Sequence, residues 1–326
     1  MSGDVREASR RKERETEPEQ EGDEPQADRL RLTLRTYQRQ PAPGVPCVES
    51  AFHYEEWDVA VPAPAAALVL VDVWDRHVVT SHAARTAAIA RDRIAPALAA
   101  ARRAGVTVVH APSPVQARRF PQWTRYATSA DTEAPAVRSW PWLEGDDWPP
   151  AAFRRREGEY ARFRRPQSPL LEGLREERLE RTIDPSVLPL PEDFVVATGE
   201  QLHRLCRDRG ILHLFYAGFA ANICIPFKDY GIRAFRARGY HVVLLRDCTT
   251  AIEGHDTVAD LAGTRQAVRE LEMADLAATI TGAAFVAACD ALAAAGPAVD
   301  GAGPSGPSGS ASTTTGPGAD AVPARV

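Results

Sequence analysis

The sequence predicts a three-layer α/β/α domain, Rossmann-like, on a mostly parallel sheet of about six strands. Short apolar runs alternate with helix-like segments, most of the loops between them are brief, and polar residues gather where the apolar runs end. A strand buried on both faces reads as a continuous aliphatic run, whereas a helix repeats its apolar positions every three to four residues. Repeated β-α-β units of this kind give a parallel sheet with helices on both faces.

The run "AALVLVD" (66–72) is the first such strand, and "SHAARTAAIARDRIAPALAAARRAG" follows as a helix. Ser81 is placed to cap that helix, its arginines fall late and Gly105 stops it. "VTVVHA" (106–111) is the next strand. After a long irregular stretch come the strand "DFVVAT" (193–198), the helix "GEQLHRLCRDRG" and the strand "ILHLFYA" (211–217). A helix opening near Cys224 is expected to run to Gly239, followed by the strand "HVVLLRD" (241–247). A helix over about 257–275, the short strand "ATIT" and a last helix from Ala283 complete the order.

Residues 112–191 break the alternation. They hold Trp123, Trp140, Trp142 and Trp148, many prolines and the basic run "FRRREGEYARFRRP". A loop of that length in a compact domain is a lid, a pocket wall or an oligomer contact, or else a satellite cluster on the sheet edge. Residues 1–32 mix both charges with almost nothing apolar, and 296–326 are rich in Gly, Pro, Ser and Thr. Both ends are expected to be disordered, which leaves 33–295 as the domain.

A formal charge of −5 gives no reason to expect nucleic acid or an anionic membrane as partner. No apolar run reaches the length of a membrane span, and the opening residues lack the apolar segment of a secretory signal. The five cysteines (Cys47, Cys206, Cys224, Cys248, Cys289) form no C-x-x-C pair, which argues for a reducing compartment and against a disulfide framework or cysteine zinc site. A cytoplasmic location is the expectation.

In parallel sheets ligands bind beyond the carboxyl ends of the strands. Asp72, Thr198 and the turn "GFAANICI" (218–225) all fall at that edge. Cys224 is either a small core residue or a nucleophile at a helix N-terminus, where unpaired N–H groups and the dipole lower a thiol's pKa.

Three stretches in order, "LVLVDVWDRH", "GFAANICI" and "ARGYHVVLLRDCTTAIEGHDT", resemble the isochorismatase-like cysteine hydrolases, a family that includes nicotinamidases and N-carbamoyl amidases. The resemblance extends from about Ala66 to the last helix. It implies a small-molecule substrate, C–N cleavage through a thioester, no cofactor, Cys224 as nucleophile and Asp72 as the base that takes the thiol proton. It further implies a cis Phe219–Ala220 peptide and an oxyanion hole formed by the backbone N–H groups of Ala220 and Cys224. Trp74, Asp75, His110 and Phe219 are the candidates for the pocket wall.

One departure stands out. The family's catalytic lysine closes a strand whose end here is Thr198, and no lysine lies near it. Lys228, His110 and His203 are the candidates to replace it, with Lys228 expected to lie along the helix below Cys224 and away from the sheet edge. Glu200 contacts substrate or caps its own helix. The nicotinamidase branch binds a metal through an aspartate and two histidines; "VVHAPSPVQARRF" offers only His110, so no metal is expected. Two further readings stay open. One is an idle family member that binds a small molecule or serves as an assembly subunit, which the absent lysine favours and the presence of both Asp72 and Cys224 opposes. The other is isochorismatase-type vinyl ether hydrolysis, for which the cysteine is dispensable.

Clustered tryptophans and arginines are what interface cores favour. The Trp-rich segment therefore predicts a homo-oligomer, a dimer or tetramer, with that segment at a subunit contact. Sedimentation at micromolar concentration tests this, and monomer alone would count against it.

Overall fold

Every residue of the strand Ala66–Val71 is buried, and alternate side chains enter two different cores. Ala66, Leu68 and Leu70 pack with Ile94 and Leu98 on one face of the sheet and with Phe285 further along it. Ala67, Val69 and Val71 pack on the other face with Leu202, Leu205, Phe235 and Leu271. That division is the three-layer architecture seen from one strand. The structure, a computed structural model, describes residues 28–133, 148–166 and 171–295.

In chain order the strands are β1 (Arg29–Gln38), β2 (His53–Pro62), β3 (Ala66–Val71), β4 (Thr107–Ala111), β5 (Phe194–Val195), β6 (His213–Phe219), β7 (His241–Thr250) and β8 (Ala278–Ile280). Their spatial order is β2-β1-β8-β7-β6-β3-β4-β5. The six strands from β8 to β5 are parallel, which is the sheet expected from the sequence. The other two are an antiparallel hairpin that extends the sheet beyond β8.

That hairpin corrects the expected domain boundary. β1 begins at Arg29, and Leu30, Leu32 and Leu34 are buried. The strict alternation of "RLRLTL" is a half-buried strand, but its arginines give the stretch the composition of the charged segment before it. The tails 1–27 and 296–326, and Trp140 and Trp142 of the insertion, lie outside the described residues.

The helix after β3 runs as Thr80–Ile89, a π turn over Ala90–Ile94, and Ala95–Arg103. Pro96 accounts for the π turn: it has no N–H to donate and its ring crowds the carbonyl four residues back, so the preceding turn widens. The segment from Cys224 differs from the single helix expected. It forms two short helices, Cys224–Phe227 and Ile232–Ala237, and Lys228 between them has extended backbone. The break sends Tyr230 into the core, where its carbonyl accepts a hydrogen bond from the Tyr216 hydroxyl at 3.0 Å. No described helix is long and apolar enough to cross a membrane.

From β3 the chain builds β4 and β5 on one side, then returns to place β6, β7 and β8 on the other. The strand order therefore reverses between β3 and β6, and such a switch point opens a crevice at the carboxyl edge. The hairpin is testable separately. Leu30→Ala is expected to destabilise the fold by about 2–5 kcal/mol, the usual cost of a cavity at a buried leucine. A shifted denaturation midpoint checks this; an unchanged one would mean that β1 lies outside the cooperative unit.

Candidate active site

At the switch point β6 approaches β3 so closely that a Cβ on Gly218 would lie 2.0 Å from the Val71 carbonyl oxygen. Gly218 also has φ 116° and marks a register shift in the pairing of β6 with β7. Only glycine meets both conditions. The next peptide, Phe219–Ala220, is cis. The turn that follows is fixed to the chain leaving β7. The Ala221 N–H donates to the Thr250 carbonyl at 3.0 Å, and the Asn222 side chain exchanges two hydrogen bonds with the Ile252 backbone at 3.0 and 3.1 Å. Cys224 emerges from this turn half-buried.

Asp72 ends β3 in a left-handed conformation, φ 48°, which aspartate tolerates better than most residues. Its N–H donates to the Ala111 carbonyl of β4 at 3.3 Å. The side chain is buried. Oδ1 accepts from the Ser113 hydroxyl at 3.4 Å and the Tyr230 hydroxyl at 3.5 Å. Oδ2 lies 3.7 Å from Lys228 Nζ and has no N–H or O–H donor in hydrogen-bonding geometry among the described residues. The Cys224 thiol stands close enough to this carboxylate to feel its charge.

Burial pushes the Cys224 thiol up to about 12, and the Asp72 charge pushes the same way. Lys228 and the Ala220 backbone N–H oppose them. This reverses the expectation of a thiol acidified by a helix N-terminus. The helix has four residues, too few to build much of a dipole, so desolvation and the neighbouring carboxylate win. The site thus holds a protonated thiol, a buried carboxylate and the Ala220 backbone N–H beside the sulfur.

The other candidates divide. Lys228, expected to lie away from the sheet edge, reaches Asp72 because the helix ends before it. Thr198 caps the helix Gly199–Arg209 by accepting from the Gln201 N–H. His110 is no pocket residue: it is sealed in the sheet, bonded to Asp193 at 3.3 Å, and burial lowers its pKa. Phe219 is likewise buried in the core, and its ring meets His82 edge-on. Trp74 bridges Ile183 at the end of the insertion and is covered by the Arg181 guanidinium at 4.2 Å. Asp75 is taken up by the Thr182 N–H at 2.8 Å and by Arg76. These two residues thus anchor the returning limb of the insertion. His203 bonds the Tyr240 hydroxyl and Glu200 pairs with Arg238, both away from Asp72. The sequence reading missed Ser113 and Tyr230; Ser113 could have been found as a polar residue two positions beyond a buried strand.

Residues 66–275, from the start of β3 to just beyond the helix before β8, match the Isochorismatase domain, and the chain belongs to that family of hydrolases. Similar solved structures include a cysteine hydrolase from Pseudomonas syringae pv. phaseolicola 1448A, 16% identical, covering 71% of this chain and 95% of the other with a TM-score of 0.44. An isochorismatase family protein from Burkholderia thailandensis is 18% identical, covering 70% and 96% with a TM-score of 0.39. No curated protein matches the chain in sequence.

A thiol this weakly acidic reacts with iodoacetamide through a small thiolate fraction. Cys224 alkylation, followed by peptide mass spectrometry, should rise about tenfold per pH unit from pH 7 to 10 with no plateau. Asp72→Asn removes a charge that raises the pKa, so it should speed labelling at pH 8. A plateau near neutrality would contradict both expectations.

Proposed function

We propose that the chain is a cysteine hydrolase cleaving a C–N bond of a small amide or ureido substrate through a thioester intermediate. The observation that carries this reading is the buried Asp72 carboxylate, one oxygen lacking a conventional donor, against the protonated thiol of Cys224. As the sulfur attacks the substrate carbonyl, its proton passes to Asp72 and an S–C bond forms. The N–H groups of Ala220 and Cys224 donate to the oxyanion. Asp72 then returns the proton to the nitrogen, the C–N bond breaks and the amine leaves. Water attacks the thioester with Asp72 accepting its proton, the acid departs and the thiol is restored. Vinyl ether hydrolysis makes no use of a thiol in this position.

A panel of small primary amides and N-carbamoyl compounds tests the reading. Cys224→Ala should abolish turnover, and Asp72→Asn should reduce it by about 10²–10⁴-fold, the usual worth of a positioned acid–base group. An acyl adduct trapped during turnover should map to the Cys224 peptide. Wild-type turnover in Cys224→Ala would overturn the proposal.

A further inference from the structure

We propose that Lys228 supplies the positive charge of this site and that Ser113 is the positioning residue that holds it there. The inference rests on the hydrolase reading above and assigns two residues that reading leaves without a role. Lys228 Nζ donates to Ser113 Oγ at 3.0 Å, stands 3.7 Å from Asp72 Oδ2 and lies 5.6 Å from the centre of the Tyr230 ring. Ser113 accepts from the ammonium and donates to Asp72 Oδ1, so one hydroxyl fixes the cation and the carboxylate together. The groups come from the ends of three adjacent strands, β3, β4 and β6.

The backbone around Lys228 is fixed on its C-terminal side. The Asp229 carboxylate accepts the Gly199 N–H at 2.9 Å, and a Cβ on Gly199 would lie 2.1 Å from the Asp229 carbonyl oxygen. Tyr230 is buried, with its carbonyl bonded to Tyr216. The segment carrying Lys228 therefore lies against the start of the helix that Thr198 caps. The ammonium enters the site from the nucleophile's own turn, one residue beyond the short helix.

Composition points the same way. Of 39 lysines and arginines only Lys12 and Lys228 are lysine, so Lys228 is the one lysine of residues 28–326. Everywhere else in that span arginine serves as the cation. An ammonium is a compact point charge with three donors, which suits one group shared between a hydroxyl and a carboxylate. When the thiol proton moves to Asp72, negative charge moves from oxygen to sulfur, and Lys228 stands near both. It favours the thiolate that attacks without removing the carboxylate that receives the proton.

Iodoacetamide labelling of Cys224 at pH 8, quantified by peptide mass spectrometry, tests the charge directly. Exposed Cys47 serves as the reference for reactivity, and buried Cys206 and Cys289 report any unfolding. Lys228→Met should slow Cys224 labelling at least about tenfold, since loss of a nearby opposite charge is worth a pKa unit or more. Lys228→Arg keeps the charge and should stay within about threefold of wild type, half a pKa unit. Ser113→Ala should slow labelling in the wild-type background and have a clearly smaller effect in Lys228→Met, where only its bond to Asp72 remains. Equal slowing by Met and Arg, or no slowing by Met, would overturn the role of Lys228. A Ser113→Ala effect of undiminished size without the lysine would overturn that of Ser113. If Lys228→Met leaves labelling unchanged while Cys224→Ala still abolishes turnover, this inference fails and the hydrolase reading stands.

Discussion

The contact between Gly218 and the Val71 carbonyl sets the geometry on which the rest of the site depends. Two parallel strands that the chain reaches from opposite directions are brought together at their carboxyl ends. Asp72 follows one and the Cys224 turn follows the other, so a side chain at position 218 would force apart the two elements that must meet. The hydrogen bonds from Asn222 and Ala221 to the β7 end fix the same turn from the far side. The turn is thus held by the close backbone approach at Gly218, one backbone hydrogen bond and both ends of the Asn222 amide.

Electrostatics at this site follow from burial more than from helix geometry. A thiol half-removed from water beside a carboxylate keeps its proton, and a single helical turn is too short to reverse that. Near neutrality only a small fraction of it is thiolate. Such a thiol is protected from adventitious alkylation and oxidation, which act on the thiolate. The surrounding hydroxyls of Ser113 and Tyr230 donate to the carboxylate and leave the sulfur uncommitted.

Most of the fold was legible because it is written in aliphatic runs. "AALVLV" and "HLFYAGF" are buried on both faces, and their alternation between two cores needs no information from elsewhere in the chain. β1 was hidden because arginine alternates with leucine there, so a window average sees charge where the pattern shows a strand. Asp72 was placed at the carboxyl edge by the aliphatic strand before it, and Cys224 by a turn that resembles the family's; the two lie close together in the fold. Lys228 was misplaced for a specific reason: a helix continued past Phe227 points position 228 away from the edge, and only the break at that residue turns it back. His110 shows the converse error. It stands at a strand end in sequence, yet Asp193 folds over it and closes it from the site.

The near absence of lysine has a practical side. Amine-directed acylating reagents ordinarily decorate a protein at many surface positions and report on none of them. Across residues 28–326 of this chain they find one side chain, bonded to Ser113 and close to Asp72, while a surface rich in arginine stays inert to them. The chain is in effect already engineered for selective chemical modification of its own centre, with no residue to be removed first from the folded domain.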